Sequence, residues 1–290
     1  MKIALGTAQL NQTYGISNNT VITDNQLEEI VRTAHKIGLR LVDTAPSYGR
    51  AESSLGGVLR DDDWKIVTKI KGATVVSGTD QSGECSVATE FKKSLSDLKR
   101  SHVYGVLLHD CDAFLKNKPI QIISEIQKLQ EIGLVEKVGI SIYNQNQLED
   151  VLRIFVPEIV QLPISILDQR LLRTNILDRL KDKGIEIHAR SIFLQGRVFQ
   201  SPNLLPEYFA PMKKQLIQLH SRARLQNLSL GQMCLAFVAS IENVDYVIVG
   251  VDSVNQLLEL IKKYTENCQI YDYSDLAVND ERVVDIRNWS

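Results

Sequence analysis

Short apolar runs alternate with amphipathic stretches along the whole chain. The runs are Ile3–Leu5, Leu39–Val42, Lys65–Thr68, Val103–Leu108, Lys137–Ile140, Ile159–Leu162, Ile185–Ala189 and Tyr246–Val249, eight in all. Their length and their content of Val and Ile predict buried strands. Between the first two, Leu27, Ile30, Val31 and Ala34 recur at helical spacing. Thr23, with Gln26 three residues on, supplies a capping box for that helix. Further helices are predicted over Glu52–Leu59, Val87–Arg100, Ile120–Ile132, Gln147–Phe155, Thr174–Lys183 and Asn255–Tyr264. The interval after the seventh run holds two, Pro211–Leu225 and Leu230–Ile241, behind an inserted loop over Arg197–Pro206. Gly38, Gly133 and Gly184 fall just past helical patterns, where a left-handed cap is wanted.

Eight strand–helix pairs predict an α/β fold, a (β/α)8 TIM barrel. A doubly wound sheet is the other arrangement of such units. It normally carries a glycine-rich fingerprint after its first strand, and no GxGxxG occurs here. No Pro/Ser-rich linker divides the chain, so residues 1–290 are expected to form a single domain.

Composition adds little that is unusual. Of the 290 residues, 44% are apolar and 23% charged, with a formal net charge of -2, which excludes a mainly disordered chain and advertises neither nucleic-acid nor membrane-surface binding. Cys85, Cys111, Cys234 and Cys268 are far apart, so metal-knuckle spacing is absent and no metal is expected. MKIALGTAQL is too short an apolar start for a signal peptide, and no segment approaches the roughly 18 apolar residues of a membrane span. A reduced, cytoplasmic protein is expected. The glycosylation sequons at Asn11, Asn18, Asn227 and Asn288 are then chance matches.

In such barrels the chemistry sits at the C-terminal ends of the strands. There the second strand brings Asp43, the third Lys69, the fourth His109-Asp110, the fifth Ser141, the sixth Gln161 and the seventh Arg190-Ser191, while Tyr48 follows Asp43 on the second loop. An ammonium beside a phenol stabilises phenolate and lowers the tyrosine pKa. An aspartate holds that ammonium charged, a tyrosine so tuned donates a proton to a carbonyl oxygen, and a neutral histidine orients the carbonyl. Each residue also has a plainer reading. Asp43 caps the turn before Ala45-Pro46, Lys69 is its salt-bridge partner, and His109 is a core histidine. The convergence of four complementary groups on one mouth favours catalysis.

Asp43-Thr44-Ala45-Pro46-Ser47-Tyr48-Gly49-Arg50-Ala51-Glu52, Thr68-Lys69, Leu107-Leu108-His109, Gly139-Ile140-Ser141 and Val160-Gln161 together resemble the aldo-keto reductase family. The likeness runs from Leu5-Gly6-Thr7 to about Glu259. It implies an NADP(H) or NAD(H) cofactor across the barrel mouth and a small aldehyde or ketone as substrate. Tyr48 would be the general acid, Lys69 and Asp43 its tuning pair, and His109 the carbonyl-orienting residue. Gly6, Thr7 and Asp43 would flank the cofactor, with Ser141 and Gln161 holding its carboxamide. Ser191 and the backbone around Phe193, Gln195 and Gly196 would approach its pyrophosphate. Gly250, Asp252, Gln256 and Glu259 would meet its adenosine end. The chain starts directly at the first strand, without the plug hairpin many relatives carry. With Ala189-Arg190-Ser191-Ile192-Phe193-Leu194-Gln195-Gly196, this resembles bacterial members linked to sugar or polysaccharide metabolism. A monomer or small homo-oligomer is expected.

Three positions depart from the family pattern. Ile142 stands where many relatives carry Asn, and Asn144 is a substitute from the loop. Arg190 stands where many stack an aromatic on the nicotinamide. It stacks its own guanidinium plane there, pairs with an acidic substrate, or pairs with Asp110. Asp252 stands where NADP-preferring relatives place Arg, Lys or Ser. It repels a 2′-phosphate and favours NAD(H), or it caps the eighth helix. The tail aromatics Tyr271, Tyr273 and Trp289 either line the pocket or pack the tail onto the barrel. Two other functions use the same scaffold: a cofactor-binding redox sensor or regulatory subunit with little turnover, and Schiff-base chemistry on Lys69.

Overall fold

The computed structural model of the chain describes residues 2–10, 22–59, 63–71, 86–265 and 271–289. Cys85, Cys268 and the sequons at Asn11 and Asn18 lie outside them. The eight predicted strands are present: β1 (Ile3–Gly6), β2 (Leu41–Asp43), β3 (Lys65–Ile70), β4 (Val103–Leu108), β5 (Val135–Ser141), β6 (Ile159–Pro163), β7 (Glu186–Arg190) and β8 (Tyr246–Gly250). Each pairs in parallel with its sequence neighbour. β8 pairs back to β1, from Ile3 opposite Val247 to Gly6 opposite Gly250, and closes the barrel.

Alternation along the strands separates two packed layers. Ala4, Leu41, Val67, Leu107 and Ile159 fill the inside of the barrel. Val42, Ile66, Val106, Ile140, Val160 and Ile187 face outward into the larger core beneath the helices. Gly139 permits the closest strand approach, since a Cβ there would lie 2.3 Å from the carbonyl oxygen of Ile159.

The outer helices are α1 (Asp24–Lys36), α2 (Ala51–Val58), α3 (Ser86–Leu98), α4 (Cys111–Lys116), α5 (Pro119–Glu131), α6 (Gln145–Leu152), α7 (Ile176–Asp182), α8 (Lys213–Leu225), α9 (Leu230–Ala239), α10 (Val254–Thr265) and α11 (Glu281–Val284). The Thr23–Gln26 capping box forms, and α1 buries Leu27, Ile30, Val31 and Ala34. Burial of each Leu or Ile contributes roughly 1.5–3 kcal/mol. Gly38, Gly133 and Gly184 take φ values of 93°, 78° and 71°, as their positions after helices require.

Two parts differ from expectation. The short helices α4 and α11 were not anticipated, because six and four residues are too few to display a period. The loop expected over Arg197–Pro206 holds 3-10 turns over Leu194–Phe199 and Pro202–Leu204, and a third over Glu207–Met212 takes the start of the helix expected from Pro211, so that α8 begins at Lys213. These turns, α8, α9 and the tail share a second apolar cluster containing Phe209, Leu216, Met233, Tyr273 and Leu276. No described helix is long and apolar enough to cross a membrane.

Candidate active site

Asp43 ends β2 and Lys69 lies near the end of β3, and the two meet below the C-terminal mouth. Lys69 Nζ is 2.7 Å from Asp43 Oδ1 and donates to the Thr44 carbonyl at 2.9 Å. From β6, Gln161 Nε2 donates to Asp43 Oδ2 at 2.7 Å. Lys69 is 1% exposed and Asp43 3%. Charges this deep are tolerated only when paired and hydrogen-bonded. The carboxylate is therefore no turn cap: both oxygens are spent on Lys69 and Gln161, and the turn is closed by Tyr48 N on the Ala45 carbonyl at 3.0 Å. Thr7 clamps the backbone of the same residue, its Oγ1 donating to the Asp43 carbonyl at 2.9 Å.

The loop that carries Tyr48 is anchored from behind. Buried Glu52, at the start of α2, accepts a hydrogen bond from Thr68 Oγ1 at 2.5 Å. Tyr48 is half-buried, with Lys69 Nζ 5.0 Å from its ring centre and the His109 ring edge-on at 5.8 Å. His109 is not a core residue. It is half-buried at the cavity wall, and Ser47 Oγ lies 3.2 Å from its Nδ1. Burial, reinforced by the Lys69 charge, lowers its pKa to about 3, so the ring is neutral.

Tyr48 corrects the sequence-based expectation of a lowered pKa. Burial raises it well above the ordinary phenol value, the Asp43 carboxylate adds to the rise, and Arg190 opposes it. Lys69 shares its ammonium with Asp43, so the pair presents nearly compensated charge to the phenol.

A cavity of about 480 Å³ opens above this cluster. It runs from Tyr48 and His109 past Asp43, Ser141 and Gln161 to Gly250, Asp252 and Gln256. Gly6, Thr7, Arg190, Ser191, Phe193, Gln195 and Gly196 also line it. Glu259 does not. It is exposed, and its backbone carbonyl accepts from Gln232 Nε2 at 2.7 Å. Lys69, 1% exposed, is not among the residues that line the cavity.

The departures resolve individually. The Ile142 side chain is fully buried in the outer core. Asn144 does not reach into the cavity, because it caps α6 by accepting from Gln147 N at 3.0 Å. Tyr143 lines the wall instead. Arg190 bonds Ser141 Oγ at 3.3 Å, Ser191 Oγ at 3.2 Å and the Ile142 carbonyl at 3.1 Å, and stacks on Tyr143 at 4.1 Å. It does not pair with Asp110, which caps α4 through Ala113 N at 2.9 Å. Nor is Asp252 the cap of α10: Ser253 Oγ accepts from Gln256 N at 3.2 Å, while Asp252 N donates to Gln256 Oε1 at 2.7 Å.

One feature of the wall suits a long phosphorylated ligand. Ser191, Leu194, Gln195 and Gly196 have φ values of 59°, 45°, 50° and 91°. Such left-handed residues cost energy where they are not glycine, and successive backbone amides in this geometry form anion-binding nests. At Gly250 a Cβ would lie 2.5 Å from Gln9 Oε1, so the missing side chain lets the Gln9 amide pack against this end of the wall. Gln9, whose Nε2 is held by the Val251 carbonyl at 2.9 Å, was not anticipated from sequence. Nor were Tyr143, Phe199, Ile248 and Ile286. Of the tail aromatics, none lines the cavity. Tyr273 is buried and Trp289 packs on Phe209, whereas Tyr271 is exposed.

The arrangement is that of a TIM-barrel protein whose polar groups gather at the C-terminal mouth. The sequence profile of the aldo/keto reductase family matches residues 2–278, and the chain belongs to that family. Members of this family are oxidoreductases acting on carbonyl compounds. Glyoxal reductase of Bacillus subtilis is 27% identical over 221 residues, 74% of this chain and 75% of its own length. L-galactose dehydrogenase of Arabidopsis thaliana is 25% identical over 281 residues, 91% of this chain and 84% of its own. Among solved structures, an aldo-keto reductase of Bacillus halodurans in its holo form superimposes with a TM-score of 0.72. It is 20% identical, and the match covers 95% of this chain and 92% of that one. It supports the fold.

Proposed function

We propose that this protein is a nicotinamide-dependent carbonyl reductase in which Tyr48 protonates the carbonyl oxygen. The observation that carries the reading is the buried Asp43–Lys69 pair beneath Tyr48, with neutral His109 beside it. Tyr48 holds its proton at neutral pH because burial disfavours the phenolate. Lys69 lies under the ring, where its ammonium offsets negative charge developing on the phenol oxygen as the proton leaves. Asp43 keeps Lys69 charged and fixed, and this rules against Schiff-base chemistry, which needs a neutral, accessible amine. A Ser47 hydroxyl donating to His109 Nδ1 puts the ring proton on Nε2, from which it can orient a carbonyl oxygen.

The residues present fit a nicotinamide dinucleotide. Ser141 and Gln161 would hold its carboxamide, the turn from Ser191 to Gly196 its pyrophosphate, and Gly250, Asp252 and Gln256 its adenosine end. When bound, the reduced cofactor supplies the hydride. Asp252 places a carboxylate rather than a cation at the adenosine end, which favours NAD(H) over NADP(H).

The test is cofactor oxidation with sugar aldehydes, nitrobenzaldehydes and keto sugars, on wild type and Tyr48→Phe. Wild type turns over carbonyls from this panel. Tyr48→Phe loses roughly 10²–10⁴-fold in kcat, the usual worth of a positioned general acid, while cofactor still quenches its fluorescence. Full activity in Tyr48→Phe removes the acid role. Cofactor binding by wild type without turnover would instead favour a sensor.

A further inference from the structure

Arg190 is a cation without a counter-ion. Its three polar partners, Ser141 Oγ, Ser191 Oγ and the Ile142 carbonyl, are all neutral, and it makes no ion pair among the described residues. The Asp43 and Arg287 charges near it are paired, while the Lys71 charge also acts on His109. Asp43 is matched by Lys69, and Arg287, stacked on Tyr143 at 4.4 Å, is matched by Asp285 at 2.7 Å and Asp112 at 3.3 Å. His109 is neutral. Arg190 therefore brings to the cavity it lines a positive charge that no described carboxylate pairs.

A half-buried guanidinium loses hydration, and neutral acceptors recover only part of it. It has five N–H groups. Three are used, and one remains on each terminal nitrogen. The plane is held by Tyr143 against one face, so those two donors are fixed in advance of binding. A planar cation with a donor left on each terminal nitrogen can meet a carboxylate. The Arg190 charge also pulls the Tyr48 pKa down and adds to the depression at His109, which places the guanidinium within electrostatic reach of both groups.

We propose that Arg190 anchors a carboxylate on the substrate, making this a reductase of aldehydes or ketones that carry an acid group. The proposal rests on the carbonyl-reducing reading given above. Tyr143 is a positioning residue that holds Arg190, and Arg287 holds Tyr143 from its other face. The tail residue Ile286 adds an apolar wall to the same cavity, which suits the carbon skeleton between carbonyl and carboxylate.

The experiment compares acids with their neutral methyl esters: 4-carboxybenzaldehyde with methyl 4-formylbenzoate, and succinic semialdehyde with methyl 4-oxobutanoate. Wild type, Arg190→Gln and Arg190→Lys are assayed for kcat and KM. A second readout is equilibrium binding of 4-(hydroxymethyl)benzoate and its methyl ester to cofactor-saturated protein. Wild type is expected to favour the acid by roughly 10- to 100-fold in kcat/KM, the worth of a charge-assisted hydrogen-bonded pair. Arg190→Gln abolishes that ratio mainly through KM, and Arg190→Lys keeps part of it. No discrimination by wild type in either readout overturns the proposal. So does an Arg190→Gln protein that loses acid and neutral substrates equally while cofactor binding weakens in parallel, since the guanidinium then serves the dinucleotide. Turnover of neutral aldehydes without acid preference defeats this proposal and leaves the reductase reading intact. Arg190-dependent carboxylate binding without turnover of any aldehyde does the reverse.

Discussion

Gln161 reaches from β6 across the barrel mouth to Asp43, its Nε2 donating to Oδ2 at 2.7 Å while Lys69 holds Oδ1. A carboxylate only accepts, so the amide must turn its NH2 toward Asp43, and its carbonyl oxygen is left for any ligand above. The side chain thus joins the charged pair to the cavity wall.

Gln161→Leu should leave Asp43 Oδ2 buried and without its donor. The expected cost is about 1–3 kcal/mol of stability, read as a lowered urea midpoint at unchanged slope. Cofactor affinity should fall as well, since the carbonyl oxygen is lost too. A Gln161→Leu protein as stable as wild type would mean that Lys69 alone satisfies the carboxylate.

The Asp43–Lys69 pair predicts a non-additive double mutant. Lys69→Met strands a buried carboxylate and should cost about 3–5 kcal/mol. Asp43→Leu with Lys69→Met removes both charges and should regain part of that loss, because apolar side chains of similar volume suit a buried site. Activity should stay absent in both, since neither has an ammonium under Tyr48. Denaturant unfolding and cofactor oxidation on the same preparations separate the structural role from the chemical one. Recovery of activity in the double mutant would contradict the assigned role of Lys69.

How much of this was legible in the sequence depended on whether the signal was local. The strands and most helices were, because apolar spacing is local: every predicted run became a strand, with ends shifted by a residue or two. Asp43, Tyr48, Lys69 and His109 converge because strand ends of a barrel share one mouth. Asn144 carried a capping signal, with Gln147 three residues on, that outweighed its proposed reach into the cavity. Contacts across the barrel had no local signal. The Gln161–Asp43 bond, the stacking of Arg190 on Tyr143 and the arrival of Ile286 from the tail depend on register and tail path. The pKa direction of Tyr48 was missed for a related reason: spacing shows that a lysine is near, not how deeply the phenol is buried or whether the lysine is already paired.

Asp252 bears on cofactor choice. With Ser253 capping α10, its carboxylate lines the cavity. Asp252→Ser should tighten NADPH about tenfold, the effect of removing one like-charge repulsion near a 2′-phosphate (order 1.4 kcal/mol), and weaken NADH by a smaller factor. Fluorescence titration with both cofactors measures each. Tight NADPH and absent NADH binding in wild type would sink the assignment.

His109 sets an acid limit on stability. Its folded pKa is about 3, against an ordinary value of 6.5, with burial the main cause and Lys69 the next. Between these values the unfolded chain binds a proton that the folded one does not, so stability falls as pH falls through that window; above it both states are neutral and the penalty is absent. The slope from one such group cannot exceed about 1.4 kcal/mol per pH unit, and partial exposure reduces it. His109→Asn removes the titration. Urea unfolding at pH 7.5 and pH 5 should therefore show wild type losing roughly 1 kcal/mol more than His109→Asn over that interval. Equal losses would show that the ring is as easily protonated in the folded state as in the unfolded chain, and a charged imidazolium would then face the carbonyl.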